Sequence, residues 1–134
     1  MSVSIEIHDG PRPPAVPWRI DGAGSILCFE GVVRPTEAGQ AIEAIDYEAY
    51  EPMAQRQLNL LAEQTLERFG LLAINVTHSR GRVPAGECSF RLRIASAHRA
   101  AGLEAMGWFI DQLKRDVPIW KRPVHREPAG GTPS

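Results

Sequence analysis

The chain has 134 residues, 43% hydrophobic and 23% charged, which suits one folded domain with its own core and is too short for two. Its 15 basic and 16 acidic side chains leave a net charge of -1, which argues against a general nucleic-acid or anionic-membrane binder. No apolar run nears the ~20 residues of a membrane span, and the Met1-to-Glu6 start lacks the basic and apolar stretches of a secretory signal.

Val3 to Ile7 is a short opening strand, followed by a stiff Pro11-Arg12-Pro13-Pro14 connector. Gly24 to Val33 is apolar at most positions and is expected to be a largely buried strand, with Arg34 to Gln40 a polar loop. Ile42 to Tyr50 alternates imperfectly, and its β-branched and aromatic residues favour a strand. From Glu51 to Phe69 the period is helical: Ala54, Leu58, Leu61, Ala62, Leu66 and Phe69 recur at threes and fours, Pro52 suits the first turn and Gly70 the end. Leu71 to Thr77 is strand-like, and Gly81 to Gly86 is a turn-rich connection. Glu87 to Ala95 alternates cleanly, placing Cys88, Phe90, Leu92 and Ile94 inward and Glu87, Ser89, Arg91 and Arg93 outward. A second helix starts at Ser96-Ala97-His98-Arg99 with Ser96 as N-cap, buries Leu103, Met106, Ile110 and Leu113, and stops at Val117-Pro118. Ile119-Trp120-Lys121 is extended again. The order β, β, β, α, β, β, α, β predicts an α+β fold: a single domain over residues 1–122 with a mixed or antiparallel sheet and two main helices, then a flexible tail over 123–134.

Thirteen of the 15 basic residues are arginine; Lys114 and Lys121 are the two lysines. An amine can lose its proton or attack a carbonyl, which a guanidinium in practice cannot, so lysines in an arginine-rich chain are candidates for chemistry; chance placement is the alternative. Pro118 breaks the helix between them, so they converge only if the chain turns back. Lys114 has a structural reason of its own, a helix C-terminus, whereas Lys121 follows an apolar Ile119-Trp120 pair expected to anchor it on the core. Ser96-Ala97-His98-Arg99, at a strand exit and helix entry, could hold an anion or be an ordinary solvated first turn. Arg34 follows a strand and opens a loop, where ligand-binding residues are common. Cys28 and Cys88 lack metal or disulfide spacing; they are expected to pack as small hydrophobes in a reducing, cytoplasmic protein. His8, His78 and His125 show no metal-like spacing and are expected to be surface or core residues. No phosphate loop, dinucleotide fingerprint, zinc-protease or nucleophile-elbow motif occurs. Gly130-Gly131 is followed by three more residues, so the chain is not expected to be a carrier that ends in glycine.

Taken in order, several stretches resemble the molybdopterin synthase catalytic (large) subunit family: Phe29-Glu30-Gly31-Val32-Val33-Arg34, Ile45 to Tyr50 with Met53-Ala54, His78-Ser79-Arg80-Gly81 with Pro84 to Glu87, Ser96-Ala97-His98-Arg99, Ile110 to Lys114, and Pro118-Ile119-Trp120-Lys121. The resemblance covers about residues 24 to 122. It implies a hammerhead-like, dimerising fold and transfer of sulfur from the C-terminal glycine thiocarboxylate of a small ubiquitin-like subunit to cyclic pyranopterin monophosphate. Two carriers supply the two sulfurs of the molybdopterin dithiolene. Lys114 and Lys121 match the family's active-site lysines, Arg34, His98 and Arg99 its substrate-pocket residues, and Phe29 an aromatic lining position. The His-Arg pair would come from the neighbouring large subunit of a heterotetramer. Neither cofactor nor metal is implied, and no nucleic-acid or membrane partner. Pro35-Thr36-Glu37, where the family is more polar, Arg122-Pro123, and the short Pro/Gly tail depart from the family pattern. A non-catalytic module that binds the carrier tail, and a sulfurtransferase using Cys28 or Cys88, are the two rival readings.

Overall fold

A computed structural model describes residues 2–127. Its elements are β1 (Ser2–Asp9), β2 (Ser25–Val32), β3 (Thr36–Glu37), β4 (Gln40–Ala49), α1 (Met53–Phe69), β5 (Ala73–Pro84), β6 (Cys88–Ser96), α2 (Arg99–Asp116) and β7 (Ile119–His125). The strands form one mixed sheet, giving the expected α+β class. Its main path is β2-β6-β5-β4-β3, with β1 added parallel to β5 and β7 antiparallel to β4.

β5 organises this sheet. Its first half, Ala73 to His78, lies between β6 and β1, and its second half, Gly81 to Pro84, pairs with β4. The sequence predicts a turn at Gly81, but the strand continues through it. Gly81 adopts φ +76°, a left-handed value that a residue without a Cβ takes without strain, so the strand changes direction while keeping its pairing opposite Tyr47. The turn is confined to Ala85 and the residues beside it.

Both helices pack on one face of the β1-β5-β6-β2 half. Leu58, Leu61 and Ala62 of α1 and Ala105 and Phe109 of α2 meet Ile74, Val76, Leu92 and Ile94 in the larger core. Gly70 ends α1 in the left-handed conformation, its N–H capping the last turn. A smaller core gathers Val33, Ile42, Ile45, Tyr47 and Val83 under the β4-β7 half, and Ile119 packs against both. The imperfect alternation of β4 has a cause: the register against β7 shifts between Ile42 and Ala44, which lets Ile42 face inward with Ile45 and Tyr47.

Several expectations are corrected. The expected buried strand at Gly24 to Val33 is the sheet's edge, with Ile26, Phe29 and Val32 exposed and β6 its one strand partner among the described residues. The fully buried stripe of α2 is Gly102, Ala105 and Phe109; of the expected set, Met106, Ile110 and Leu113 pack half-buried against the core, and Leu103 is 57% exposed. Close approach explains this: a Cβ on Gly102 would lie 2.9 Å from Ser96 Oγ and 3.1 Å from Leu27, so the smallest residues must face the sheet there. Ser96 is not the N-cap; His98 holds that position without a side-chain cap, and Ser96 Oγ instead donates to the His98 carbonyl (2.7 Å). Ser89 and Arg91, expected outward, are buried. Ser89 is the extra residue of a bulge, since Gly31 pairs with Phe90 and Val32 with Cys88. Arg91 is held by Glu30 at 2.6 Å. Cys28 is exposed and Cys88 half-buried, so neither packs in the core as expected. Trp120 is 56% exposed, with its ring beside Tyr50, so it does not anchor Lys121 on the core. The expected tail boundary also moves: Pro123 to His125 belong to β7, paired as far as Ile42, while residues 128–134, with Gly130-Gly131, lie outside the described residues.

The two faces of α2 give a direct test. Phe109→Ala is expected to cost about 3–5 kcal/mol of unfolding free energy, and Leu103→Ala less than ~0.5 kcal/mol. Paired urea titrations measure both; equal effects would place the buried stripe elsewhere.

Candidate functional site

A cavity of about 240 Å³ opens where the two cores meet. Phe90, Ile110, Leu113 and Val117 line it from the larger core, and Val33, Ile45 and Tyr47 from the smaller one. The walls are therefore mostly apolar. Three cations stand among the lining residues: Arg34 after β2, Lys114 in the last turn of α2, and Lys121 on β7. All three are exposed.

Backbone periodicity brings the lysines together. Lys114 lies one turn before Val117-Pro118, where α2 stops and the chain reverses into β7. In β7 alternate residues share a face, so Ile119 and Lys121 point to the cavity while Trp120 points away. Lys121 pairs across the sheet with Tyr47, which also lines the cavity. Arg34 donates to Glu37 at 3.1 Å; Thr36 and Glu37, expected in a loop, form the short β3 against β4 and set Glu37 in the cavity wall. With the Arg34 side chain 75% exposed, this ion pair contributes little to stability and leaves the guanidinium at the mouth. Phe29 lines the opening, its ring tilted on Phe90 with centroids 6.1 Å apart.

His98 and Arg99 are not part of this cavity. They sit exposed at the N-terminal end of α2, about 24 Å along the helix from Lys114 at 1.5 Å rise per residue. Cys28 and Cys88 are also absent from its lining, and burial pushes both thiols up, away from the reactive thiolate.

The floor holds polar groups that the motif reading passed over. Tyr47 donates its hydroxyl to Ser89 Oγ at 2.9 Å, and Ser89 to the Gly31 carbonyl at 3.4 Å. Beside them lies His78, 7% exposed, edge-on to Tyr47 at 5.4 Å and tilted against Phe90 at 5.6 Å. His78 Nδ1 lies 2.7 Å from the Ser79 carbonyl. A carbonyl can only accept, so Nδ1 carries the proton and Nε2 of the neutral ring is a bare acceptor. Burial lowers the His78 pKa to about 4, with the Lys121 and Arg12 charges acting in the same direction. His78 lay within a matched stretch, but a lone histidine without a partner at metal spacing gave no reason to choose it.

Residues 15–116 match the family model described as MoaE protein. A Culex quinquefasciatus protein named molybdopterin synthase catalytic subunit is 38% identical over 111 residues, 82% of this chain and 71% of that one. The Homo sapiens protein of that name is also 38% identical, over 78% of this chain and 55% of its own length, so this chain spans about half of that relative. Among solved structures, molybdopterin synthase from Staphylococcus aureus superposes with a TM-score of 0.75 at 27% identity, covering 82% of this chain and 80% of that one. A Helicobacter pylori complex of subunits 1 and 2 of molybdopterin-converting factor shares the fold, with a TM-score of 0.69 at 20% identity over 93% of this chain and 91% of that one.

The His78 environment makes stability depend on pH. In the unfolded chain His78 titrates near its ordinary 6.5, and in the fold near 4. Between those values the unfolded chain binds a proton that the fold refuses. The contribution is complete above pH 6.5 and is lost as pH falls toward 4, by up to about 3 kcal/mol. Urea unfolding at pH 7.5 and 4.5 is expected to show a fall that His78→Gln reduces; equal falls in the two proteins would place the titration elsewhere.

Proposed function

The chain belongs to the MoaE family, and from that premise we propose that it is the catalytic subunit of a molybdopterin synthase, moving sulfur from the C-terminal thiocarboxylate of a small ubiquitin-like subunit onto cyclic pyranopterin monophosphate. The observation that carries this reading is the meeting of Lys114 and Lys121, the chain's two lysines, from opposite sides of Pro118 in the wall of one cavity. An apolar cavity with a cationic mouth suits the narrow, anionic end of a glycine tail, and it suits an anionic phosphate beside it. There the lysines stabilise negative charge developing on the acyl oxygen and shuttle protons as the cyclic phosphate opens. Arg34 draws the anions to the mouth, and Phe29 shields the reacting groups from water.

His98 and Arg99 complete the substrate pocket from a second copy. The ~24 Å that separates them from Lys114 is fixed by the helix, so one chain cannot use both ends of α2 at one cavity. The exposed apolar edge of β2, at Ile26, Phe29 and Val32, offers a surface that a second copy can cover. The assembly is a homodimer of this chain with a small subunit at each end, two carriers supplying the two sulfurs. It works in the cytoplasm, where its two free cysteines stay reduced. Among the described residues no helix is long and apolar enough to cross a membrane.

The test is reconstitution with thiocarboxylated small subunit and cyclic pyranopterin monophosphate, reading the dithiolene product as its fluorescent oxidised pterin. Wild type is expected to form product, and Lys121→Ala to lower the rate by about 100-fold or more. Lys121→Arg is not expected to restore it, because a guanidinium does not shuttle protons. No product from wild type with the carrier bound would leave a tail-binding module. The double variant Cys28→Ala, Cys88→Ala is expected to keep its rate within about twofold, since neither thiol lines the cavity; a loss of activity there would favour the cysteine route.

A further inference from the structure

His78 is the group in the cavity that the lysine chemistry does not use. It is 7% exposed, it lines the cavity, and its ring is fixed by Tyr47, Phe90 and the Ser79 carbonyl. With Nδ1 committed, its Nε2 has no hydrogen-bond partner among the described residues, yet it is not sealed off; Thr77 Oγ1 is the buried side-chain atom left unpaired. A neutral acceptor is thus held open toward an apolar space whose mouth is cationic.

We propose that His78 Nε2 accepts the last peptide N–H of the small subunit's glycine tail, making His78 a binding residue for the carrier's backbone. The inference rests on the function proposed above and names how that site recognises its partner. An extended tail entering this cavity leaves its water behind, and an amide N–H buried without a partner costs binding free energy. The mouth supplies Arg34, Lys114 and Lys121 for the anionic end, but these groups only donate and cannot satisfy an amide N–H, and the carboxylate in the wall, Glu37, already accepts from Arg34. Tyr47 gives its proton to Ser89, which leaves its oxygen as a second acceptor on the same floor. A neutral imidazole takes the donor without adding positive charge to three cations already present. Glycine fits because a bare backbone carries no side chain to clash with Phe90, Ile110 or Val117.

The experiment uses the full chain with histidine labelled in 15N, His78 being assigned through His78→Gln, and small subunit ending in Gly-Gly as its unreactive carboxylate. Long-range proton–nitrogen spectra are expected to show Nδ1 protonated throughout, with the Nε2 signal moving to a hydrogen-bonded position when the carrier is added. A semisynthetic carrier with an ester in place of its last amide lacks the donor. It is expected to bind wild type about tenfold more weakly than the amide form, but His78→Phe with less than a twofold difference. His78→Gln, which keeps an acceptor near Nε2, is expected to stay within about threefold of wild type for the amide carrier. An unmoved Nε2 with the carrier bound, or the same ester penalty in wild type and His78→Phe, overturns the inference. An Nε2 signal already at a hydrogen-bonded position in carrier-free protein, moving to the free position on Lys121→Met, assigns the acceptor to Lys121 and overturns it too. If product still forms in those cases, the synthase reading stands by itself; absence of any carrier binding to wild type overturns both.

Discussion

β5 has to serve both halves of the sheet at once, and the rest of the molecule depends on how it does so. Its first half is a central strand between β1 and β6, buried under both helices, and its second half pairs with β4. Between them, at Gly81, the chain passes from its β1 and β6 partners to β4. Because the halves diverge, the side chains they carry form two cores and not one. The cavity is the space the cores leave where they part, and His78, at the end of the first half, becomes its floor. A side chain at position 81 would bring backbone strain into the strand that joins the cores.

The cavity keeps different chemistry at different depths. Its floor is neutral: a hydroxyl pair, Tyr47 and Ser89, and an imidazole that burial keeps uncharged. Its mouth is cationic, with Arg34, Lys114 and Lys121 in contact with solvent. Long basic side chains can lay their stems on the apolar wall while their charged ends stay hydrated, so the arrangement avoids the cost of burying three cations together. An anion arriving at the mouth excludes the water that screens it, which strengthens each attraction where charge develops.

Outside the helix-covered face, the connector between β1 and β2 closes the sheet with polar contacts. Arg12 donates to Ser79 Oγ and to the Asp9 and Gly10 carbonyls. Arg93 bonds Asn75 and the Val16 carbonyl, and the Trp18 ring lies 5.2 Å from its guanidinium carbon. These arginines hold the side of β5 opposite the cavity. Ser79, whose carbonyl fixes the His78 tautomer, is itself held by Arg12. Arginine's planar fork suits this work, which helps explain why the chain uses it almost everywhere and keeps lysine for the cavity.

Much of this was legible in the residues. The period of α1 named its buried face, the alternation of β6 placed Phe90, Leu92 and Ile94 inside, and the scarcity of lysine drew attention to Lys114 and Lys121 before any fold was known. Such signals are local: a helix or strand repeats its contact face every few residues, and composition needs no coordinates. What depended on packing between distant segments was not legible. Whether a helix buries Leu103 or Gly102 is decided by how closely Ser96 and Leu27 approach it, and whether Ser89 faces outward is decided by a bulge in the pairing with β2. Spacing alone could not say that Lys114 and Lys121 share a wall while His98 and Arg99 stand at the far end of the same helix. Nor could it single out His78, whose role follows from the two neighbours, Tyr47 and Phe90, that only the meeting of two cores brings to its ring. The sequence by itself determined the two helices, the main strands and the cationic chemistry at its disposal; tertiary structure decided which of those groups face one enclosed space, because that space exists only where β5 parts the two cores.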